Sequence, residues 1–175
     1  MPKHKKLWYF LVLVDTFSGW IEAFPTSQET ALVVAQTLVA HIIPRFGLPA
    51  SLQSDNGPAF ISWITQLTVE ALNINWNLHI PYHPQSSGKV ERAIGLLKKQ
   101  LTKLSLEVKL SWPDLLPITL ARLCAAPREP VRLSAFELMY GRPFLLNTTL
   151  PAASPPLASY LPYFSLLRHL REHAD

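Results

Sequence analysis

Asp55 and Glu91 are the two residues whose type and placement offer chemistry in this sequence. Asp55 stands where a short strand over 50–54 should end, before the turn chemistry of Asn56-Gly57-Pro58, and ligands of open α/β sheets collect at that end of a strand. Glu91 falls in the first turn of a helix predicted over 89–106, behind a loop from Pro81 to Gly88, with thirty-five residues between the two acids. Two carboxylates brought together this way suit a hard divalent cation, Mg²⁺ or Mn²⁺, which takes a few carboxylate oxygens and leaves its other positions to water or phosphate. A pair of such ions about 3.5–4 Å apart activates a nucleophile and stabilises a leaving oxygen in phosphoryl transfer. The same residues have a plainer reading, with Asp55 starting an Asx turn and Glu91 favouring its helix N-terminus. Spacing alone favours the plainer one.

The elements that would position these acids are legible in outline. Leu7 to Val14 is an apolar strand and Trp20 to Phe24 a second, joined by the turn-rich Asp15-Thr16-Phe17-Ser18-Gly19, so the two form a hairpin. Thr26-x-x-Glu29 is a capping box that opens a helix from about Glu29. Ala31, Val34, Leu38 and Ile42 recur along it at helical spacing, and Pro44 and Gly47 end it. Helix is expected over 60–72 and strand over 75–80; Ser86 or Ser87 caps the long helix that carries Glu91. Further helices follow over 111–125 and 134–139. Three regions result: a basic tail at 1–6, a core at 7–146, and a Pro-rich linker with a terminal helix at 147–175.

Composition narrows the function classes. Of the 175 residues, 49% are hydrophobic, enough for a sizeable core. The formal charge of +4 permits a polyanionic partner without demanding one. One cysteine, Cys124, excludes an internal disulfide framework or a zinc finger, fits a reducing compartment, and reads as a small buried hydrophobe. His79-x-x-x-His83 has ligand-like spacing but no cysteine pair, and is not read as a zinc site. The basic start followed by an apolar run imitates a secretory signal, but Asp15 ends that run and no small-x-small cleavage site follows. No membrane span is expected.

Three longer words carry a resemblance. Val14-Asp15-Thr16-Phe17-Ser18-Gly19-Trp20-Ile21-Glu22-Ala23-Phe24-Pro25 resembles the hairpin of retroviral integrase catalytic cores. Ser54-Asp55-Asn56-Gly57-Pro58-Ala59-Phe60 is similar to that family's second catalytic aspartate motif, and Tyr82-His83-Pro84-Gln85-Ser86-Ser87-Gly88-Lys89-Val90-Glu91-Arg92 to its glutamate motif. Phe136-Glu137-Leu138-Met139-Tyr140-Gly141 is similar to its late helix. The wording is nearest to gammaretroviral and endogenous gammaretrovirus-like integrases. The resemblance implies an α/β, RNase H-like fold, a mixed sheet flanked by helices. It also implies a triad of two Asp and one Glu holding Mg²⁺ or Mn²⁺, and a reaction that trims viral DNA ends and joins their 3′-hydroxyls to target DNA. Asp55 and Glu91 match the second and third acids as catalytic and metal-holding residues.

The first acid has no match. The family places it in a word like Trp-x-x-Asp-Phe-Thr on a central first strand, and no such word precedes the hairpin here. The sequence is therefore read as a core truncated before the first catalytic Asp and lacking the central strand. Its metal binding is expected to be weak if present, its catalysis absent or impaired, and its apolar strands to expose edges or pair anew. Asp15 matches a non-catalytic hairpin residue and is assigned to holding the turn. Where the family carries Asn, then Arg or Lys, then Lys at the third, fourth and seventh positions after the glutamate, this chain has Ile94, Gly95 and Lys98, so Lys98, Lys99 and Lys103 are the expected phosphate contacts. The resemblance implies DNA as partner, a homodimer or association with an intact integrase, and a nuclear or cytoplasmic location. A non-enzymatic interaction module of endogenous retroviral origin is the alternative.

Overall fold

The computed structural model describes residues 6–144, apart from 56, 63–65, 68–69, 79–83 and 130–131. The tail at 1–5, the linker at 147–175 and the His79–His83 pair thus lie outside the described residues.

Strands β1 (Tyr9–Val14) and β2 (Ile21–Thr26) pair antiparallel, with Tyr9 opposite Thr26 and Val14 opposite Ile21. The turn between them needs its glycine. Gly19 sits at φ +68, and the Arg128 guanidinium lies 1.7 Å from where a Cβ would stand, so a side chain here would be both strained and in collision. α1 (Ala31–Thr37) passes through a π-helical stretch (Leu38–Ile42) into α2 (Ile43–Phe46), which stops at Gly47 with φ +80. The expected Thr26–Glu29 capping box does not form: Thr26 pairs with Tyr9 as the last residue of β2, and α1 begins from Thr30 without a side-chain cap.

β3 (Ser51–Ser54) and β4 (Asn75–Leu78) pair in parallel, with α3 (Pro58–Ile61) in the connection between them. The long helix α4 (Pro84–Val108) starts earlier than the sequence suggested. Pro84 supplies a pre-set helical φ and no amide that needs an intrahelical partner, so Ser86 and Ser87 lie inside the helix rather than capping it. α5 (Trp112–Ala125), the short ladder β5 (Pro127–Arg128) with β6 (Leu133–Ser134), and α6 (Ala135–Tyr140) complete the order. At α6 the Ser134 Oγ accepts from the Glu137 N–H at 3.1 Å while Glu137 Oε2 accepts from the Ser134 N–H at 2.8 Å, a closed capping box.

Two apolar clusters hold these elements, and β1 lies between them. Phe10, Val12 and Val14 pack on the larger, built from Ile21, Ala93, Leu97, Leu101, Trp112, Leu115 and Leu116 among others. Leu11 and Leu13 point the other way, to Val34, Leu38 and Ile42, where Leu52 of β3 and Trp76 of β4 also pack. This two-sided packing is why the strand reads as a nearly unbroken apolar run. None of its residues is nevertheless fully buried, since β2 is its one strand partner among the described residues. Among the described residues the hairpin and the β3–β4 pair are separate sheets held by the same helical segment, and each has an unpaired edge. Of the expected outcomes, exposed edges rather than a new pairing of the apolar strands are what the described residues show.

Candidate active site

Asp55 directly follows β3, at the C-terminal end of the parallel pair, and is exposed. Its Oδ1 accepts the Gly57 N–H at 3.0 Å, the Asx turn of the plainer reading. Ser54 braces this end. Its Oγ donates to the Asp55 carbonyl at 3.0 Å and accepts from Trp76 Nε1 at 3.0 Å, tying β3 to β4 where the acid emerges.

Glu91 is also exposed, but it lies about two helical turns into α4 rather than in the first turn. The helix dipole acts within the terminal turn, so the plainer account of Glu91 loses its physical basis. The buried stripe of α4 is Ala93, Leu97, Leu101 and Leu104. At 100° per residue, Gly95 and Lys99 lie opposite that stripe, and Glu91, Thr102 and Lys98 lie together on one solvent-facing flank. Lys98 and Lys99 are exposed and make no ion pair among the described residues, whereas Lys103 approaches Glu107 at 4.0 Å. The three lysines thus follow Glu91 along the solvent side of one helix.

Asp15 is committed elsewhere. Its Oδ2 accepts both the N–H and the Oγ–H of Ser18 at 2.6 Å each, which is the turn-holding role expected of it. No cluster of three or more His, Cys, Asp or Glu side chains suited to a metal forms among the described residues. The hard oxygens of Asp55 and Glu91 suit a divalent cation; the structure places them on separate elements, and among the described residues no third acid joins them in a metal-holding cluster.

Cys124 is buried at 2% exposure with its thiol 3.7 Å from the Ile21 carbonyl, and burial pushes its pKa up. It is a core residue, as expected. One contact near the site has no counterpart in the sequence reading. Lys89 Nζ donates to the Thr16 carbonyl at 2.9 Å, joining the start of α4 to the hairpin turn. No local pattern signals a bond between residues so far apart in the chain.

A family profile described as "Integrase core domain" matches residues 1–84, a span that contains Asp55 and stops short of Glu91. The Gag-Pol polyprotein of baboon endogenous virus (strain M7) is 50% identical over 155 residues, which are 88% of this chain and 9% of that one. The chain therefore spans about a tenth of the polyprotein. Among solved structures, the catalytic core of BIV integrase is 34% identical with a TM-score of 0.62, covering 73% of this chain and 82% of that one. The HTLV-2 integrase catalytic core in complex with magnesium, in a trimeric form, is 28% identical with a TM-score of 0.66, covering 78% of this chain and 88% of that one. A dimeric form of the HTLV-2 core matches with a TM-score of 0.60. The fold is thus that of RNase H-like integrase cores. Among the described residues no helix is long and apolar enough to cross a membrane.

Proposed function

The chain belongs to the retroviral integrase catalytic core family, and from that premise we propose that it is a DNA-binding integrase-core relative, acting in the nucleus or cytoplasm, whose own catalysis is absent or impaired. The family's reaction is metal-dependent DNA integration, and Asp55 and Glu91 are the catalytic acids present here. The observation that carries this reading is the solvent side of α4: Glu91 and Lys98 share one exposed flank, turned away from a fully apolar stripe.

Asp55 and Glu91 would hold the divalent ion, which when bound supplies the charge that activates a nucleophile and steadies a leaving oxygen. Two carboxylates bring a formal −2, so these residues would hold one Mg²⁺ or Mn²⁺ weakly rather than a tight pair. Asp15 adds nothing to that count while Ser18 occupies its Oδ2. Lys98, Lys99 and Lys103 attract phosphates without reading bases, and each cation engaged adds about one unit to the salt slope of binding.

The test is Mn²⁺ titration and strand transfer on viral-end DNA with the 175-residue polypeptide, beside Asp55→Asn and Glu91→Gln. The expected result is one weak Mn²⁺ site, lost in either variant, with DNA binding retained and joining at background. Robust joining abolished by both substitutions would overturn the impaired reading. Mn²⁺ affinity indifferent to both would remove the two acids from the metal site.

A second reading is a non-enzymatic module that pairs with itself or with an intact core. Leu32 (53% exposed) and Val39 (51%) favour it: both lie on the α1–π helical segment, where Ala35, Gln36, Val39 and Ala40 line a shallow, mainly apolar hollow. Sedimentation equilibrium of wild type against Val39→Lys separates the readings. A dimer lost in the variant supports the module, and a monomer in both rejects the self-pairing surface.

A further inference from the structure

We propose that Lys89 is a positioning residue for Glu91, clasping the start of α4 to the β1–β2 turn so that the carboxylate faces outward; this rests on reading Glu91 as a metal-holding acid. From Gly88 to Arg92 no side chain of α4 is buried, and burial begins at Ala93. Val90 is partly covered, so packing holds the stretch that carries Glu91 less firmly than it holds the helix beyond Ala93. A polar tie from this stretch to the body of the protein is the Lys89 Nζ to Thr16 carbonyl bond of 2.9 Å, across 73 positions of sequence.

The acceptor stands on a rigid support. The Asp15 side chain holds Ser18 through two bonds, the Gly19 N–H donates to the Asp15 carbonyl at 2.8 Å, and the Asp15 N–H donates to the Trp20 carbonyl at 2.9 Å. Ser18 is 2% exposed and Arg128 is pressed against Gly19. A turn held this way cannot follow the helix, so the helix start must follow the turn. Lys89 and Glu91 lie about 200° apart around the helix axis. With Lys89 drawn toward the hairpin, Glu91 is turned to the opposite, solvent side. The job needs length and a donor at the tip, which Lys and Arg have and Met lacks.

The experiment compares wild type, Lys89→Met, Lys89→Arg and Glu91→Gln by amide hydrogen exchange without metal, thermal unfolding and Mn²⁺ binding read by electron paramagnetic resonance. Lys89→Met should raise exchange at 88–92 by about 3- to 10-fold, the loss of one ordinary hydrogen bond, and leave Ala93–Leu104 and Tm unchanged. Mn²⁺ affinity should fall by about tenfold although both acids are intact, as when an orienting partner is removed, and Lys89→Arg should restore both. Unchanged exchange in Lys89→Met overturns the clasp, and raised exchange with unchanged Mn²⁺ affinity overturns the positioning role. Equal Mn²⁺ binding by wild type and Glu91→Gln would fail the metal reading of Glu91 instead, while the exchange result still decides whether Lys89 orders the helix start.

Discussion

On one face of β1 the hairpin meets α4 and α5 in a cluster where Leu97 and Leu101 have no exposed surface. On the other face it meets α1 and the π-helical stretch, in a smaller cluster whose buried members among the described residues are Val34, Leu38 and Ile42 and to which the strands contribute half-covered side chains. Glu91 and Lys98 belong to the first region, Asp55 to the second. The helix carrying Glu91 is anchored by apolar burial beyond Ala93. The strand carrying Asp55 is anchored by its ladder to β4 and by the Trp76–Ser54 bond. A site that draws one acid from each region is only as rigid as the thinner of the two.

The contrast is tested most directly by matched truncations. Leu101→Ala in the closed cluster should lower unfolding free energy by about 2–5 kcal/mol in a urea titration, transfer and cavity terms together. Leu52→Ala in β3 should cost less than about 1.5 kcal/mol, since a half-buried side chain gives up less apolar surface. Equal costs would erase the distinction between the regions. The next largest effect is expected at α6, which closes the well-packed side. Ser134→Ala removes the acceptor of a buried capping box and should cost about 1–2 kcal/mol, read from the shift in denaturation midpoint at constant m.

Cys124 sharpens the same contrast through pH. Burial in the larger cluster raises its thiol pKa above the ordinary 9.0. Below that value the thiol is neutral in both folded and unfolded chains, and the stabilising difference is fully present. As pH rises past 9.0, the unfolded chain releases its proton before the folded one does, so stability falls until the folded thiol titrates as well. Wild type should therefore lose stability on the alkaline side of 9.0 more steeply than Cys124→Ala. Parallel pH–stability curves would mean that this side of the hairpin is open to water.

Much of this organisation was legible in the sequence. The unbroken apolar run of β1 signals burial on both faces, and Asp15-Thr16-Phe17-Ser18-Gly19 signals its turn. Asp55 was placed correctly at a strand end because the turn residues Asn56-Gly57-Pro58 follow it. What escaped was set by non-local contacts. Thr26 and Glu29 have capping-box spacing, yet cross-strand pairing with Tyr9 claims Thr26 first. Ser86 and Ser87 are good caps by type, but Pro84 starts the helix ahead of them. The π-helical stretch at Leu38–Ile42 carries no sequence mark that we can assign. The Lys89–Thr16 bond depends on the hairpin and α4 having already docked.

The smallest expected effect lies on the outer face of α4, where the well-packed region meets solvent. Gly95 is exposed in the middle of the helix, one turn beyond Glu91, and an added Cβ there would meet nothing within 4 Å. Nothing in the packing requires glycine, so Gly95→Ala should stabilise by about 0.5–1 kcal/mol through helix propensity and a less flexible unfolded chain. Gly95→Lys should gain a similar amount, since lysine is also a good helix former. It differs in placing a cation between Glu91 and Lys98 on the face assigned to DNA. The pair therefore separates the helix's stability from its electrostatics. If that face binds phosphate, Gly95→Lys alone should tighten DNA and steepen the salt dependence by about one unit, while both variants melt together. Equal DNA affinity in the two would move the nucleic-acid contact off this face of α4 and leave its lysines as solvated charge.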